Sequence, residues 1–233
     1  MNFPLLRVKD VAKTFTLHLR GGLRLPVLGG VSFTVEAGCC VVLSGPSGAG
    51  KSTLLRALYG NYRVDSGQIL IRHLGHEVDL VQADPRTILA MRHHSIGHVS
   101  QFLRVVPRVP ALDIVAEALD GRGLTPGEAR TRAADLLLSL NIPARLHGIP
   151  PATFSGGEQQ RVNLARGFIA GHPILLLDEP TASLDAENRA VVVRMIQDAR
   201  ARGAAIVAIC HDDETRAAIA GRLLPLTLYQ EAA

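Results

Sequence analysis

The chain contains little cysteine and no long apolar run, and both shortages limit what it can be. Three cysteines occur among 233 residues, two of them adjacent at Cys39 and Cys40, so no disulfide framework is expected. We expect all three to be small buried side chains near strands. No run approaches the roughly 18 apolar residues that cross a bilayer, and the start lacks the basic and apolar segments of a signal peptide. These features favour a cytoplasmic protein.

The chain also lacks a concentrated basic patch. Its net charge is +4, from 25 basic and 21 acidic residues, but many arginines lie beside acids on helical stretches, as in GEARTRAADLLLSL. A protein that binds nucleic acid concentrates lysine and arginine on one face, so we expect no nucleic-acid partner.

Apolar runs and helical stretches alternate along the chain, which predicts an α/β fold. Short strands are predicted at VSFTV (31–35), CVVLSG, GQILIR and SIGHVSQ, the last ending at Gln101. PILLLD and AAIVAIC are uninterrupted apolar runs that suit parallel strands covered on both faces, with a helix over about 186–202 between them. We expect one domain, 1–233, with a core of about 1–100 and 171–233 and an inserted helical subdomain of about 101–170.

A phosphate-binding loop is the most specific motif. Residues 45–52, GPSGAGKS, fit G-x-x-x-x-G-K-[ST] between a predicted strand and a predicted helix. Backbone N–H groups of such a loop surround phosphate oxygens, the lysine reaches the β- and γ-phosphates, and the serine hydroxyl binds Mg²⁺. The expected nucleotide-binding residues here are Gly45, Pro46, Ser47, Gly48, Ala49, Gly50, Lys51, Ser52 and Thr53.

Two acids at the end of an apolar strand complete a nucleoside-triphosphatase pattern. Asp178 ends ILLLD, where a carboxylate can hold Mg²⁺. Glu179 follows at once and is expected to position or polarise an attacking water. Without the phosphate-binding loop, a helix cap or a surface acid pair would explain these two residues equally well.

Ser155-Gly156-Gly157-Glu158 allows two interpretations. It has the form of a capping box, which predicts only a well-capped helix. With PILLLDEPTASLD close behind it, however, FSGGEQQRV resembles the signature of the ATP-binding-cassette (ABC) family, usually LSGGQ. The resemblance covers nearly the whole chain, and it implies an ABC-type ATPase with an N-terminal antiparallel β part, whose cofactors are ATP and Mg²⁺.

The resemblance implies roles for further residues. Gln101 corresponds to the glutamine loop, which links the metal and the attacking water to the helical subdomain. Asp185 ends the D-loop, and His211 corresponds to the switch histidine that contacts the γ-phosphate. Phe15 occupies the position of the aromatic ring that stacks on adenine, a contact worth roughly 1–3 kcal/mol. Apart from the family pattern, Phe15 would be a core residue and His211 a structural one.

The resemblance also implies pairing of two ABC subunits. In this family the serine–glycine signature of one subunit closes on the ATP that the other subunit holds, so the contact is a two-fold one. Ser155, Gly156 and Gly157 would then face a second copy or a related ABC chain. Glu158 departs from the usual glutamine and adds a negative charge near the helix start, which favours the helix dipole.

Longer stretches resemble one group within the family. KTFTLHLRGGLRLPVL, LLRALYGNY, VSQFLRVVPRV, FSGGEQQRVNLARGFI and RGAAIVAICHD resemble the PhnL-type ABC subunits of the bacterial carbon–phosphorus lyase system. This implies other subunits of that system as partners. It also implies help in forming ribose 1-methylphosphonate 5-triphosphate from ATP and methylphosphonate. The alternative is the ATPase of a lipoprotein-release or macrolide-export transporter, with a membrane permease as partner; PALDIV stands where those proteins commonly carry a TALENV-like segment.

Five histidines between positions 73 and 98 invite a metal-site interpretation, but no cysteine or acid completes a ligand set. We expect His73, His76, His93, His94 and His98 to be solvated surface residues.

Overall fold

The residues that the structure describes form two sheets, with helices packed around the second one. The structure is a computed structural model that describes residues 4–103 and 107–228. Its strands are β1 Leu6–Leu17, β2 Leu23–Val35, β3 Cys40–Ser44, β4 Ser66–His73, β5 His76–Asp79, β6 Ile96–Val99, β7 Ile174–Asp178, β8 Ala205–Ile209 and β9 Arg222–Pro225. Its α-helices are α1 Lys51–Leu58, α2 Pro85–His94, α3 Ala111–Ala116, α4 Pro126–Ser139, α5 Ala144–His147, α6 Gly156–Phe168, α7 Ala186–Ala201 and α8 Asp213–Ile219.

The first sheet is antiparallel and has the strand order β2-β1-β4-β5. Strand β1 was not predicted, because its pairing with β2 shifts register three times between Val8 and Thr14. Each shift interrupts the alternation of buried and exposed side chains by which a strand is recognised in a sequence. Strand β2 begins at Leu23, well before the predicted Val31.

The second sheet is parallel and has the order β6-β7-β8-β3-β9. Every residue of β7 and of β8 is buried, which confirms the prediction of strands covered on both faces. Strand β6 ends at Val99, so Gln101 lies in a bend beyond it rather than at the strand end. The predicted combination of an antiparallel part, a parallel core and inserted helices is confirmed.

The inserted helices α3 to α6 lie between β6 and β7 in the chain and share one core with β7 and β8. Thr125 caps α4 through a complete capping box with Glu128, as predicted. Leu137 and Leu140 are fully buried, and Leu136 packs against them. The division of the chain at about 101 and 170 stays a prediction, as does the claim that the helical part is a separate subdomain.

Helix α6 approaches β6 very closely, and two glycines permit this. A Cβ atom on Gly167 would lie 2.4 Å from Val99 Cγ2, and one on Gly97 would lie 2.8 Å from the His172 ring and 2.9 Å from the Gly167 carbonyl oxygen. Side chains at either position would push the helix away from the strand. This contact brings α6 to the edge of the sheet at which the predicted site residues lie.

We expect neighbouring leucines of α4 to differ sharply on truncation. Leu137→Ala should lower the free energy of unfolding by about 2–5 kcal/mol, because it leaves a cavity in the core. Leu138→Ala should change it by no more than about 0.5 kcal/mol, since Leu138 is 50% exposed. Denaturant titrations of both variants test this, and equal losses would contradict the packing of α4.

Candidate nucleotide site

The loop that follows β3 has the backbone shape of a phosphate-binding loop. Gly45 has φ 136° and a Cβ there would lie 2.2 Å from the Leu226 carbonyl oxygen, while Gly50 has φ 87° and a Cβ there would meet Leu28 and Val27. Only glycine tolerates both the conformation and the lack of space. Lys51 begins α1, and its Nζ donates to the Gly45 and Pro46 carbonyl oxygens at 2.7 and 2.9 Å. The lysine therefore lies across the mouth of the loop.

Asp178 has the properties expected of a metal ligand. It ends β7 with 4% exposure, and the Ser52 side chain hydrogen-bonds to its carboxylate. Burial raises the pKa of Asp178, the adjacent Glu179 charge raises it further, and Arg56, Ser52 and His211 oppose the shift. Its Oδ1 atom is buried without a hydrogen-bond partner among the described residues. A buried acceptor beside a serine hydroxyl fits Mg²⁺, which prefers oxygen ligands and is bound by one or two protein groups plus phosphates.

Glu179 is held in an unusual backbone conformation. Its φ is 52°, which is uncommon for a residue with a side chain. The Glu179 N–H donates to the Ile209 carbonyl at the end of β8 (3.0 Å), and its Oε1 atom lies 3.1 Å from His211 Nε2. The structure thus brings Glu179 and His211 together beside Asp178, as the sequence predicts for one site.

Helix α6 holds this acidic segment from the other side, through residues that sequence reasoning missed. Gln160 is buried and its Nε2 donates to the carbonyl oxygens of Glu179 and Pro180, both at 3.3 Å. Asn163, one turn further on, donates to the Ser100 carbonyl next to Gln101 at 2.5 Å. Two polar residues three positions apart, among the apolar residues that form the buried face of α6, are a signal that could have found them.

Gln101 and Asp178 line one cavity of about 660 Å³. Its wall also carries basic and aromatic groups that sequence reasoning did not single out, namely Arg56, Tyr59, Tyr62, Arg92, Phe102 and Arg166. Three positions of the stretch VSQFLRVVPRV, residues 104–106, lie outside the described residues. The cavity therefore extends from the edge of the sheet at which Asp178 lies to the helical part.

Phe15 is half-buried near the end of β1, and its surroundings suit a stacking role. The Phe15 and Tyr62 rings are nearly perpendicular (79°) with centroids 5.3 Å apart, and Lys13 Nζ lies 5.3 Å from the Phe15 centroid. Lys13 is in turn paired with Asp65 at 3.0 Å. Tyr62 thus supports one side of the ring that is expected to meet adenine.

The signature and the D-loop form one surface. Ser155 caps α6, and a Cβ on Gly157 would lie 2.9 Å from the Ser183 carbonyl oxygen. Asp185 caps α7 by accepting from the Asn188 N–H at 2.8 Å. The glycines of the phosphate-binding loop contact different segments, around Val27 and Leu226. The structure therefore places Gly156 and Gly157 beside Ser183 of the D-loop.

Two expectations about cysteine and histidine were wrong in part. Cys40 and Cys210 are buried, and burial raises the pKa of each thiol to about 12, but Cys39 is exposed. His98 is not a solvated residue: its ring stacks on Tyr59 at 4.6 Å, and burial lowers its pKa to about 4. Within residues 4–103 and 107–228 no three His, Cys, Asp or Glu side chains are grouped so that they could hold a metal ion.

Comparison with known proteins gives the family. The model of the ABC transporter family matches residues 28–182. The lipoprotein-releasing system ATP-binding protein LolD of Idiomarina loihiensis is 35% identical over 91% of this chain and 90% of its own length. The macrolide export ATP-binding/permease protein MacB of Marinobacter nauticus is 34% identical over 91% of this chain. The match spans only 32% of the length of MacB.

A solved structure agrees with this similarity. The dimeric ATP-binding cassette MJ0796, in a post-hydrolysis state with ADP and Pi, superposes with a TM-score of 0.86 at 27% identity and covers 97% of each chain. The present chain belongs to the ABC transporter family and corresponds to the ATP-binding domain of that family. Its cofactors are ATP and Mg²⁺, and its fold is one that supports ATP hydrolysis. In the described part of the chain, no helix has both the length and the apolar character of a membrane span.

We expect removal of the buried charge at Asp178 to stabilise the nucleotide-free protein. The pKa of Asp178 is raised in the fold, so the ionised carboxylate costs stability at neutral pH, and that cost disappears as the pH falls and the group is protonated. Asp178→Asn should therefore raise Tm at pH 7 by about 2 °C or more, with a smaller difference at low pH. Mg²⁺-ATP should stabilise this variant less than the parent.

Asp198→Asn is the matched control, because Asp198 is an exposed acid on α7. Its Tm should follow that of the parent at each pH. A lower Tm for Asp178→Asn at neutral pH would show that the carboxylate is held by favourable contacts and does not await a metal.

Proposed function

We propose that this chain hydrolyses ATP as one half of a two-chain sandwich. Each ATP would lie between the phosphate-binding loop of one chain and residues 155–157 of the other. The observation that carries the proposal is the single surface formed by the signature and the D-loop, with Gly157 in contact with Ser183. That surface contains the residues expected to contact the γ-phosphate, whereas the glycines of the phosphate-binding loop lie against Val27, Leu28 and Leu226. The solved cassette is described as dimeric and bound to ADP and Pi, which supports the same arrangement.

Within one half, the residues have separable tasks. Lys51 and the loop N–H groups would hold the β- and γ-phosphates, and Ser52, Asp178 and Gln101 would hold Mg²⁺. When bound, the ion neutralises charge on the phosphate oxygens. Glu179 would orient and polarise the attacking water, His211 would contact the γ-phosphate, and Phe15 would stack on adenine. Gln160 and Asn163 are positioning residues, because they fix the backbone of Glu179 and of the segment before Gln101.

Blocking hydrolysis should trap the paired state. Glu179→Gln keeps the size of the side chain but removes the base, so turnover should fall at least about 100-fold. ATP binding should persist. Sedimentation with ATP should then show dimers, and normal turnover in this variant would exclude the role of Glu179.

Two companion variants separate binding from pairing. Ser155→Arg should bind ATP as the parent does, but it should not dimerise and should not hydrolyse ATP. Lys51→Ala should lose at least about tenfold in ATP affinity, because its contact with the phosphates is charge-assisted. ATP hydrolysis by a monomeric Ser155→Arg protein would reduce the signature to a capped helix.

The system that the ATPase serves has two candidates. The relatives named above are transporter ATPases, and LolD matches over nearly its whole length, so they favour the alternative drawn from the sequence: an energy-coupling subunit with a membrane permease as partner. Phe102, which is 73% exposed beside Gln101 at the edge of the large cavity, offers such a partner a contact next to the site.

The second candidate is the carbon–phosphorus lyase role, which the comparisons do not support. It rests on the five stretches that resemble the PhnL-type subunits, since these extend beyond the motifs shared by all ABC ATPases. In that role the chain would assist formation of ribose 1-methylphosphonate 5-triphosphate from ATP and methylphosphonate, together with soluble subunits of that system.

Growth and co-purification distinguish the two candidates. A strain that carries only Lys51→Ala should fail to grow with methylphosphonate as its phosphorus source, yet grow on phosphate, if the lyase role holds. Affinity purification of the native protein should then recover soluble subunits. Recovery of a membrane permease, with unchanged growth on methylphosphonate, would establish the transporter role and exclude the lyase role.

A further inference from the structure

Glu158 accepts both hydrogen bonds that Ser155 can donate. The Ser155 N–H and the Ser155 hydroxyl donate to Glu158 Oε2 at 2.8 and 2.7 Å, and the Ser155 Oγ accepts from the Glu158 N–H at 3.4 Å. A serine hydroxyl has a single hydrogen. The Ser155 hydroxyl therefore cannot donate to a phosphate oxygen while it donates to this carboxylate.

The Glu158 carboxylate is charged at neutral pH. The hydrogen bonds from Ser155 lower its pKa, and the positive charges of Arg161 and Arg145 lower it further. Arg161 also lies near Asp185 and lowers the pKa of that carboxylate. Arg189 also lowers the pKa of Asp185. The Glu158 charge itself would repel the γ-phosphate of a partner chain, whereas Arg145, Arg161 and Arg189 act in the opposite sense.

We infer that Glu158 competes with the γ-phosphate of the partner chain for the Ser155 hydroxyl, and so sets how tightly ATP holds the two chains together. This inference rests on the proposed function. In the free chain the carboxylate takes the place that the phosphate takes in the pair. On pairing, the Ser155 hydroxyl keeps its hydrogen and changes its hydrogen-bond acceptor from the carboxylate to the phosphate. No covalent bond changes.

The cost of this exchange comes from charge. Hydrogen bonds to ionised groups are stronger than those between neutral groups, so losing the bond to Glu158 offsets part of the gain from the phosphate. Glutamine at this position would still accept from the Ser155 N–H and complete the capping box. It would hold the hydroxyl less firmly and add no negative charge beside the phosphate.

The chain contains a matched control on another helix. In the capping box of α4, the Thr125 N–H and hydroxyl both donate to Glu128 Oε2 at 2.8 Å, and Thr125 Oγ1 accepts from the Glu128 N–H at 3.3 Å. Hydrogen bonds from Thr125 lower the pKa of Glu128 as well. Glu128→Gln therefore makes the same chemical change in the same local geometry, but at a helix that has no expected contact with ATP.

The experiment measures ATP-dependent pairing in the Glu179→Gln background, in which hydrolysis is blocked. Sedimentation velocity with saturating Mg²⁺-ATP gives the dimer dissociation constant of three proteins: the Glu179→Gln variant, and the same variant that also carries either Glu158→Gln or Glu128→Gln. We expect Glu158→Gln to lower that constant at least fivefold and Glu128→Gln to leave it within twofold. The ATP affinity of the single chain is measured in variants that also carry Ser155→Arg, which keeps the chains apart. It should be the same for Glu158→Gln and for Glu128→Gln.

The possible outcomes separate the role of Glu158 from the two-chain sandwich. Dimers with the same dissociation constant after Glu158→Gln overturn the inference alone, while the sandwich stands. An equal tightening by Glu128→Gln also overturns it, since the effect would then belong to helix capping. Absence of ATP-dependent dimers in the Glu179→Gln protein itself overturns the sandwich of two copies, and the inference with it.

Discussion

Helix α6 lies so close to β6 that neither Gly97 nor Gly167 has room for a Cβ atom, and the geometry of the site follows from this contact. From that position Gln160 reaches the carbonyl oxygens of Glu179 and Pro180, and Asn163 reaches that of Ser100. A buried amide that satisfies a backbone carbonyl fixes both partners, because leaving either one unpaired costs about 1–3 kcal/mol. One helix therefore positions the expected base, the segment before the glutamine loop, and the signature at its own first turn.

The same site stores unfavourable charge in the nucleotide-free chain. Asp178 is buried beside Glu179, its Oδ1 lacks a partner among the described residues, and its pKa is raised by burial and by the neighbouring charge. The carboxylates of the signature surface are in the opposite condition, because hydrogen bonds and the Arg161 charge lower the pKa values of Glu158 and Asp185. A buried and poorly compensated carboxylate such as Asp178 becomes favourable when a cation binds beside it.

Sequence reasoning succeeded where a short stretch contains its own signal. The capping boxes at Thr125 and Ser155 and the buried strands β7 and β8 are as expected. It failed where pairing overrides local pattern. Strand β1 contains three register shifts, which remove its alternation, and β2 extends back to Leu23 although it contains proline and a glycine pair. It misjudged His98, whose pKa is lowered to about 4 first by burial and then by the charges of Arg56 and Arg92. Neither arginine, nor the Tyr59 ring that stacks on His98, is adjacent to it in sequence.

The sequence by itself determined the phosphate-binding loop, the acidic strand end and the capped signature helix, because each depends on residue types at fixed spacing within a dozen positions. The tertiary structure alone decided that Gln160 and Asn163 support the site, that Tyr62 packs against Phe15, and that the signature lies beside Ser183. These contacts join segments far apart in the chain. They depend on how closely α6 can approach the sheet, and that distance is set by three-dimensional packing, which local spacing does not encode.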